Sequence, residues 1–113
     1  MAKIEIVESL YTEIEKKFKK EGHKILDLIY TLETNPKKGK ILGTVGGIII
    51  KEIKYKNFRF YFLADGFKLT FYSEEELTDI LLRFVRMSDK KHQEETIKEI
   101  KNILIKIGPE GFK

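Results

Sequence analysis

Lys54 and Arg59 flank Lys56-Asn57, a short turn signal inside a stretch dense in β-branched and aromatic residues. A two-residue loop there pairs Tyr55 with Phe58 and sets Lys54 opposite Arg59. Asp65-Gly66 is a stronger signal of the same length, because both residues tolerate the positive φ of a type I′ turn. It predicts a third strand in which Leu63 pairs with Lys68, Tyr61 with Thr70 and Arg59 with Tyr72. Side chains alternate across a sheet. One face then carries Ile53, Tyr55, Phe58, Phe60, Phe62, Phe67, Leu69 and Phe71, interrupted by Lys51. The other carries Glu52, Lys54, Arg59, Tyr61, Lys68, Thr70 and Tyr72. Basic and aromatic groups side by side suit a surface that reads RNA or phosphate. The competing reading is the solvated outer face of a half-buried antiparallel sheet.

Length and composition set the frame for these groups. A chain of 113 residues is one domain, residues 1–113, large enough for a core of its own. Its 42% hydrophobic content argues for a packed globule over disorder. The absence of Cys excludes disulfides and Cys-ligated metal sites, and the two histidines, His23 and His92, argue against a His-rich metal centre. No apolar run approaches transmembrane length. Acidic residues occupy the first positions where a signal peptide needs an apolar core, so a cytoplasmic location is expected. The net charge of +4 mildly favours an anionic partner. Charged residues reach 35%, the bias of hyperthermophile proteins, which inflates Lys everywhere. The three arginines, Arg59, Arg83 and Arg86, are therefore more telling than the lysines.

The elements that must position these residues follow in order. Lys3 to Val7 alternates as a short strand. Ser9 is a candidate N-cap for a helix with Leu10, Ile14 and Phe18 on one face. Gly22 breaks it, and His23 to Glu33 forms a second helix, with Ile25, Leu28, Ile29 and Leu32 together, ended by Asn35-Pro36. This helical hairpin should pack on the apolar face of the sheet. Lys37-Lys38-Gly39-Lys40 reads as a basic loop, with lysines able to touch a nucleic-acid backbone. Gly46-Gly47 reads as a turn or bulge, without phosphate-loop spacing. Beyond the three strands and the acidic run Ser73 to Glu76, Ile80 to Arg86 is a buried strand. Its parity puts Arg83 and Arg86 on opposite faces unless Arg86 lies past the strand end. Ser88 or Asp89 is an N-cap candidate for a last amphipathic helix from Lys90 to about Lys106, stopped by Gly108-Pro109. The tail to Lys113 reads as short and mobile. The class is α+β: an N-terminal strand and helical hairpin on an antiparallel sheet of about four strands, with a C-terminal helix.

This order resembles the RelE/ParE toxin superfamily of toxin–antitoxin systems. Asn35-Pro36 through Gly39 and Leu42 into Ile50-Lys51-Glu52-Ile53-Lys54 resembles the family's entry to the sheet. Phe58-Arg59-Phe60-Tyr61-Phe62 followed by Asp65-Gly66 resembles its central hairpin. Phe84-Val85-Arg86 with Lys90, leading into Ile97 and Ile100, resembles its late basic segment. The likeness spans most of the chain from Asn35 to Leu104.

The resemblance implies a RelE-like endoribonuclease that cleaves mRNA on the ribosome without metal or cofactor and is held by a cognate antitoxin protein. Such chemistry needs a base for a ribose 2′-hydroxyl, cations for the phosphorane and an acid for the leaving 5′-oxygen. Lys54 and Arg59 match the family's basic positions. Arg59 would clamp phosphate through its planar fork, and Lys54 would serve as base or as a charge. Arg86 and Lys90 would supply charge to the transition state. His92 is a candidate general acid or base, since an unperturbed imidazole titrates near neutrality. Lys51, Tyr61, Lys68, Tyr72 and Arg83 are candidate RNA contacts, with Tyr61 or Tyr72 stacking on a base. Three features depart from the pattern. Phe112 stands where many active members carry a Tyr or His, Glu74 to Glu76 set acid near the expected RNA surface, and an insertion separates the third and fourth strands. They keep open a ParE-like or degenerate toxin that acts by protein binding, as in gyrase inhibition, and a generic nucleic-acid-binding domain.

Overall fold

Two tight turns build the centre of the sheet. Gly46 and Gly47 both adopt positive φ, at 53° and 81°, and join β2 (Lys40–Val45) to β3 (Ile48–Tyr55). Lys56, with φ 54°, begins the turn from β3 to β4 (Phe58–Asp65), and Lys54 pairs with Arg59 as the two-residue loop requires. A computed structural model describes the whole chain, Met1 to Lys113. Its remaining elements are β1 (Lys3–Ile6), α1 (Glu8–Phe18), α2 (Gly22–Tyr30), α3 (Gly66–Phe71), β5 (Leu81–Asp89) and α4 (Gln93–Lys106). The α+β arrangement expected from the sequence is the one observed. The five strands lie in the order β1-β5-β4-β3-β2, with β1 parallel to β5 and every other pair antiparallel.

The helical hairpin covers one face. Phe18 sets its ring edge against Phe58 at 4.9 Å and Tyr55 at 6.3 Å, above a core of Leu10, Ile14, Ile25, Ile29 and Leu32. Phe62 and Phe84 stack at 4.7 Å in the same layer. The opposite face is not left to solvent. α4 crosses it, burying Ile100 and Leu104 and laying Lys101 against Gly43 of β2. Six consecutive residues of β4, Arg59 to Ala64, are buried, the pattern of a central strand covered on both sides. The expected half-buried sheet is therefore a sheet between two helical layers.

Four expectations change. Residues 67–72 do not form a third hairpin strand. Asp65 caps α3 instead, its carboxylate accepting the Lys68 amide at 3.0 Å. Asp serves turns and N-caps equally well, so the dipeptide alone does not decide between them. Gly66 is required by close approach: its amide donates to the Gly47 carbonyl at 2.9 Å, the same oxygen a Cβ would meet at 2.9 Å. Second, Lys40, read as the end of a basic loop, opens a strand, β2, that the sequence reading did not assign. Third, Arg83 and Arg86 share a face, because the β4–β5 register shifts between Tyr61 and Phe62 and leaves Val85 as an extra residue. Fourth, the tail is anchored. Phe112 is fully buried, and the Lys113 carbonyl accepts from the Ser9 amide at 3.3 Å.

Candidate nucleic-acid site

A row of side chains crosses the sheet beneath the start of α4: Lys54 on β3, Arg59 on β4 and Ser88 on β5. The next row is Glu52, Tyr61 and Arg86. Arg59 is buried beside Glu52, with Nε 3.4 Å from Oε2, and its fork reaches back to the Phe58 carbonyl at 3.3 Å. Gln93, in the first turn of α4, donates to Glu52 Oε1 at 3.2 Å. Glu52 thus ties the helix to the sheet and neutralises the arginine at once. The Arg59 Nε–H makes no well-directed hydrogen bond, so the pair is electrostatic at this nitrogen. Lys54, at the end of the row, is exposed and forms no ion pair.

Two separate sets of polar contacts meet at this end of β5. Ser88 Oγ lies 2.9 Å from the Asp89 carbonyl, to which it can only donate, so it accepts from the Tyr61 hydroxyl at 2.7 Å. Burial pushes the Tyr61 phenol above its ordinary value, against the opposing pull of Ser88. The Asp89 carboxylate accepts twice from His92, from Nδ1 at 2.7 Å and from the amide at 2.8 Å. These bonds, the ring first, hold the Asp89 carboxyl below the ordinary range. Nδ1 faces the carboxylate, so Nε2 is the ring nitrogen that Asp89 does not engage. The N-cap of α4 is His92 rather than the expected Ser88 or Asp89, and Asp89 instead holds the turn before the helix through the His92 amide and ring.

The rim around this end is basic. Lys90 and Lys91 flank a shallow cleft with Asn57 and Asp89, and the Lys90 amide binds the Asn57 carbonyl at 2.9 Å. Lys17 lies 5.0 Å above the Phe58 ring. Lys56 pairs with Glu21 at 3.3 Å, which also accepts from the Tyr55 hydroxyl.

The other candidate residues are placed elsewhere. Arg86 binds Glu99 at 2.6 Å and stacks over the Phe112 ring at 5.0 Å, away from the row's open end. Arg83 donates to the Phe112 carbonyl at 2.8 Å and lies 3.2 Å from Glu5. Both arginines hold the C-terminal tail. Tyr61 is fully buried, so its ring is closed to stacking on a base in this arrangement. Lys51 is buried on the face of the helical hairpin, donating to the Lys37 carbonyl at 2.7 Å, and burial, then the charge of Lys37, pushes its ammonium below the usual lysine value. Lys68 and Tyr72 belong to α3 and its C-terminal end, off the sheet.

Comparison with family models, curated proteins and solved structures gives no match. The geometry itself is what this chain offers. Lys54, Arg59, Lys90 and His92 lie at one end of the sheet, whereas Arg86 does not join them. Sequence reading missed Glu52 as the partner of Arg59, Gln93 as its clamp and Asp89 as the orienter of His92. Only the last had a sequence signal, an Asp three residues ahead of a His at a helix start.

Proposed function

We propose that this chain is a toxin of the RelE/ParE type that cleaves RNA at the end of the sheet bearing Lys54, Arg59 and His92. The observation that carries the reading is the Asp89–His92 pair at the end of β5, one residue beyond the Lys54–Arg59–Ser88 row and on the opposite face of the strand. An imidazole oriented by a carboxylate, at the same end of the sheet as an exposed ammonium, addresses two needs of the reaction, proton transfer and anion stabilisation. His92 Nε2 takes the proton of a ribose 2′-hydroxyl. The 2′-oxygen attacks the adjacent phosphorus, the bond to the 5′-oxygen breaks, and that oxygen takes a proton from solvent water as it leaves, while the proton on His92 returns to solvent. Lys54 stands ready to offset the charge gained by the phosphoryl oxygens. Lys17, Lys90 and Lys91 attract the polyanion. The cognate antitoxin and ribosome-bound message are the partners this reading requires.

A second reading is favoured by the ion pairs. Arg59 is committed to Glu52 and Arg86 to Glu99, which suits a toxin that inhibits through protein contact without cleavage. One experiment separates the two. Wild type, Lys54→Gln and His92→Gln are induced in a host lacking the antitoxin, and growth and message integrity are followed, with folding checked by circular dichroism. Cleavage is expected in wild type and should fall by roughly 10²-fold or more in His92→Gln. Arrest with intact message would establish the binding toxin. Absence of arrest with folded protein would overturn both.

A further inference from the structure

The geometry points to a second anion site, a clamp for the phosphodiester backbone of single-stranded nucleic acid, where Lys38 and Lys40 face Lys54 across the open edge of β3. It rests on the nucleic-acid reading above and extends it to residues outside the reacting row. β2 begins at Lys40, opposite Glu52, so Ile53, Lys54 and Tyr55 of β3 have no strand beside them on that side. A cleft of about 310 Å³ opens there, floored by Leu28 and Ile53 and walled by the three lysines. All three are exposed and none forms an ion pair. The carboxylate in the cleft wall, Glu52, is already engaged by Arg59 and Gln93.

The turn carrying Lys38 and Lys40 is fixed from below. Buried Lys51 holds the Lys37 carbonyl at 2.7 Å, and the Lys38 amide donates to the Asn35 carbonyl at 3.1 Å. Gly39 adopts φ 107°, and a Cβ there would lie 2.9 Å from the Glu52 carbonyl and 3.2 Å from the Phe62 ring. A buried lysine and an obligatory glycine thus present two ammonium groups at a set position. Lys54 belongs both to this cleft and to the row with Arg59, so the cleft leads into the candidate site. Lysine ammonium groups bind phosphate as point charges without reading bases, so the site takes any sequence.

The test is fluorescence anisotropy of a labelled 2′-O-methyl-uridine 12-mer, which cannot be cleaved through its 2′-oxygen, across a salt titration. Each phosphate contact on a single strand contributes about 0.7 to the slope of log affinity against log salt. Lys38→Gln/Lys40→Gln should lower the slope by about 1.4, while Lys98→Gln/Lys106→Gln, on α4, should leave it unchanged. Gly39→Ala keeps every charge and should also lower the slope, and the double lysine variant carries the test if it misfolds. No binding by wild type, an unchanged slope in the Lys38/Lys40 variant, or an equal drop in the α4 control would overturn the clamp. An unchanged slope with cleavage still lost in His92→Gln removes the clamp and keeps the nuclease. A lowered slope with intact message in wild type keeps the clamp and removes the nuclease.

Discussion

Glu52 holds Arg59 and Gln93 together, and through them it joins the centre of the sheet to the first turn of α4. Both members of the ion pair are buried, at 1% and 8% side-chain exposure. Removing one leaves the other charged and unpaired inside the protein. Glu52→Ala should therefore cost about 3 kcal/mol or more in urea unfolding. Glu52→Met/Arg59→Met should cost clearly less than the sum of its single variants. Additive losses would show that the pair is not coupled. Arg59→Ala is for the same reason a poor probe of activity, and Arg59→Lys, which keeps the charge but loses the fork, is the better one.

Phe112 is fully buried beneath the Arg86 guanidinium, and Arg83 holds its carbonyl. Phe112→Ala should destabilise by about 3 kcal/mol. Proteolysis near Gly108-Pro109 should quicken in parallel. A variant as stable as wild type would mean that the tail contributes nothing to the fold.

Burial raises the Tyr61 phenol above its unfolded value. Its contribution to stability is therefore complete below about pH 10, the ordinary tyrosine value, and is lost as pH rises through the folded one. Urea midpoints between pH 9 and about 11 should fall more steeply in wild type than in Tyr61→Phe. Equal slopes would place that loss elsewhere.

Asp89 shows the opposite sign. His92 lowers its carboxyl, so its contribution is present above about pH 4 and is lost as pH falls through the folded value. Asp89→Asn should flatten the acid limb of thermal stability. It should also slow RNA cleavage, because the His92 ring loses the carboxylate that orients it. An unchanged cleavage rate with normal folding would separate Asp89 from the chemistry.

The local features were legible because they depend on short spacings. The period of two in β3 and β4, closed by Lys56-Asn57, gave Lys54 opposite Arg59 as found. The period of α4 and its stop at Gly108-Pro109 likewise follow from residues close in the chain. Phe67, Leu69 and Phe71 alternate like a strand yet sit in α3, where only Leu69 is buried. A six-residue segment carries too little pattern to separate the two, and the Asp65 cap together with the Gly66–Gly47 contact decided it.

What the sequence determined by itself is the α+β order, the two-residue turn at Lys56-Asn57 and the basic groups brought opposite each other there. Tertiary structure alone decided which of those groups remain available. The face with alternating charge looked open because its cover, α4, lies some forty residues further along the chain. Only packing brings Gln93 onto Glu52, turns Glu52 toward Arg59 and leaves Lys54 exposed. The extra residue at Val85 likewise exists only in the pairing of β4 with β5, and it is what turns Arg86 to the side of Arg83 and Phe112. Periodicity fixes where a side chain points within its own strand, whereas its neighbour, and hence its charge environment, is set by contacts between segments distant in sequence.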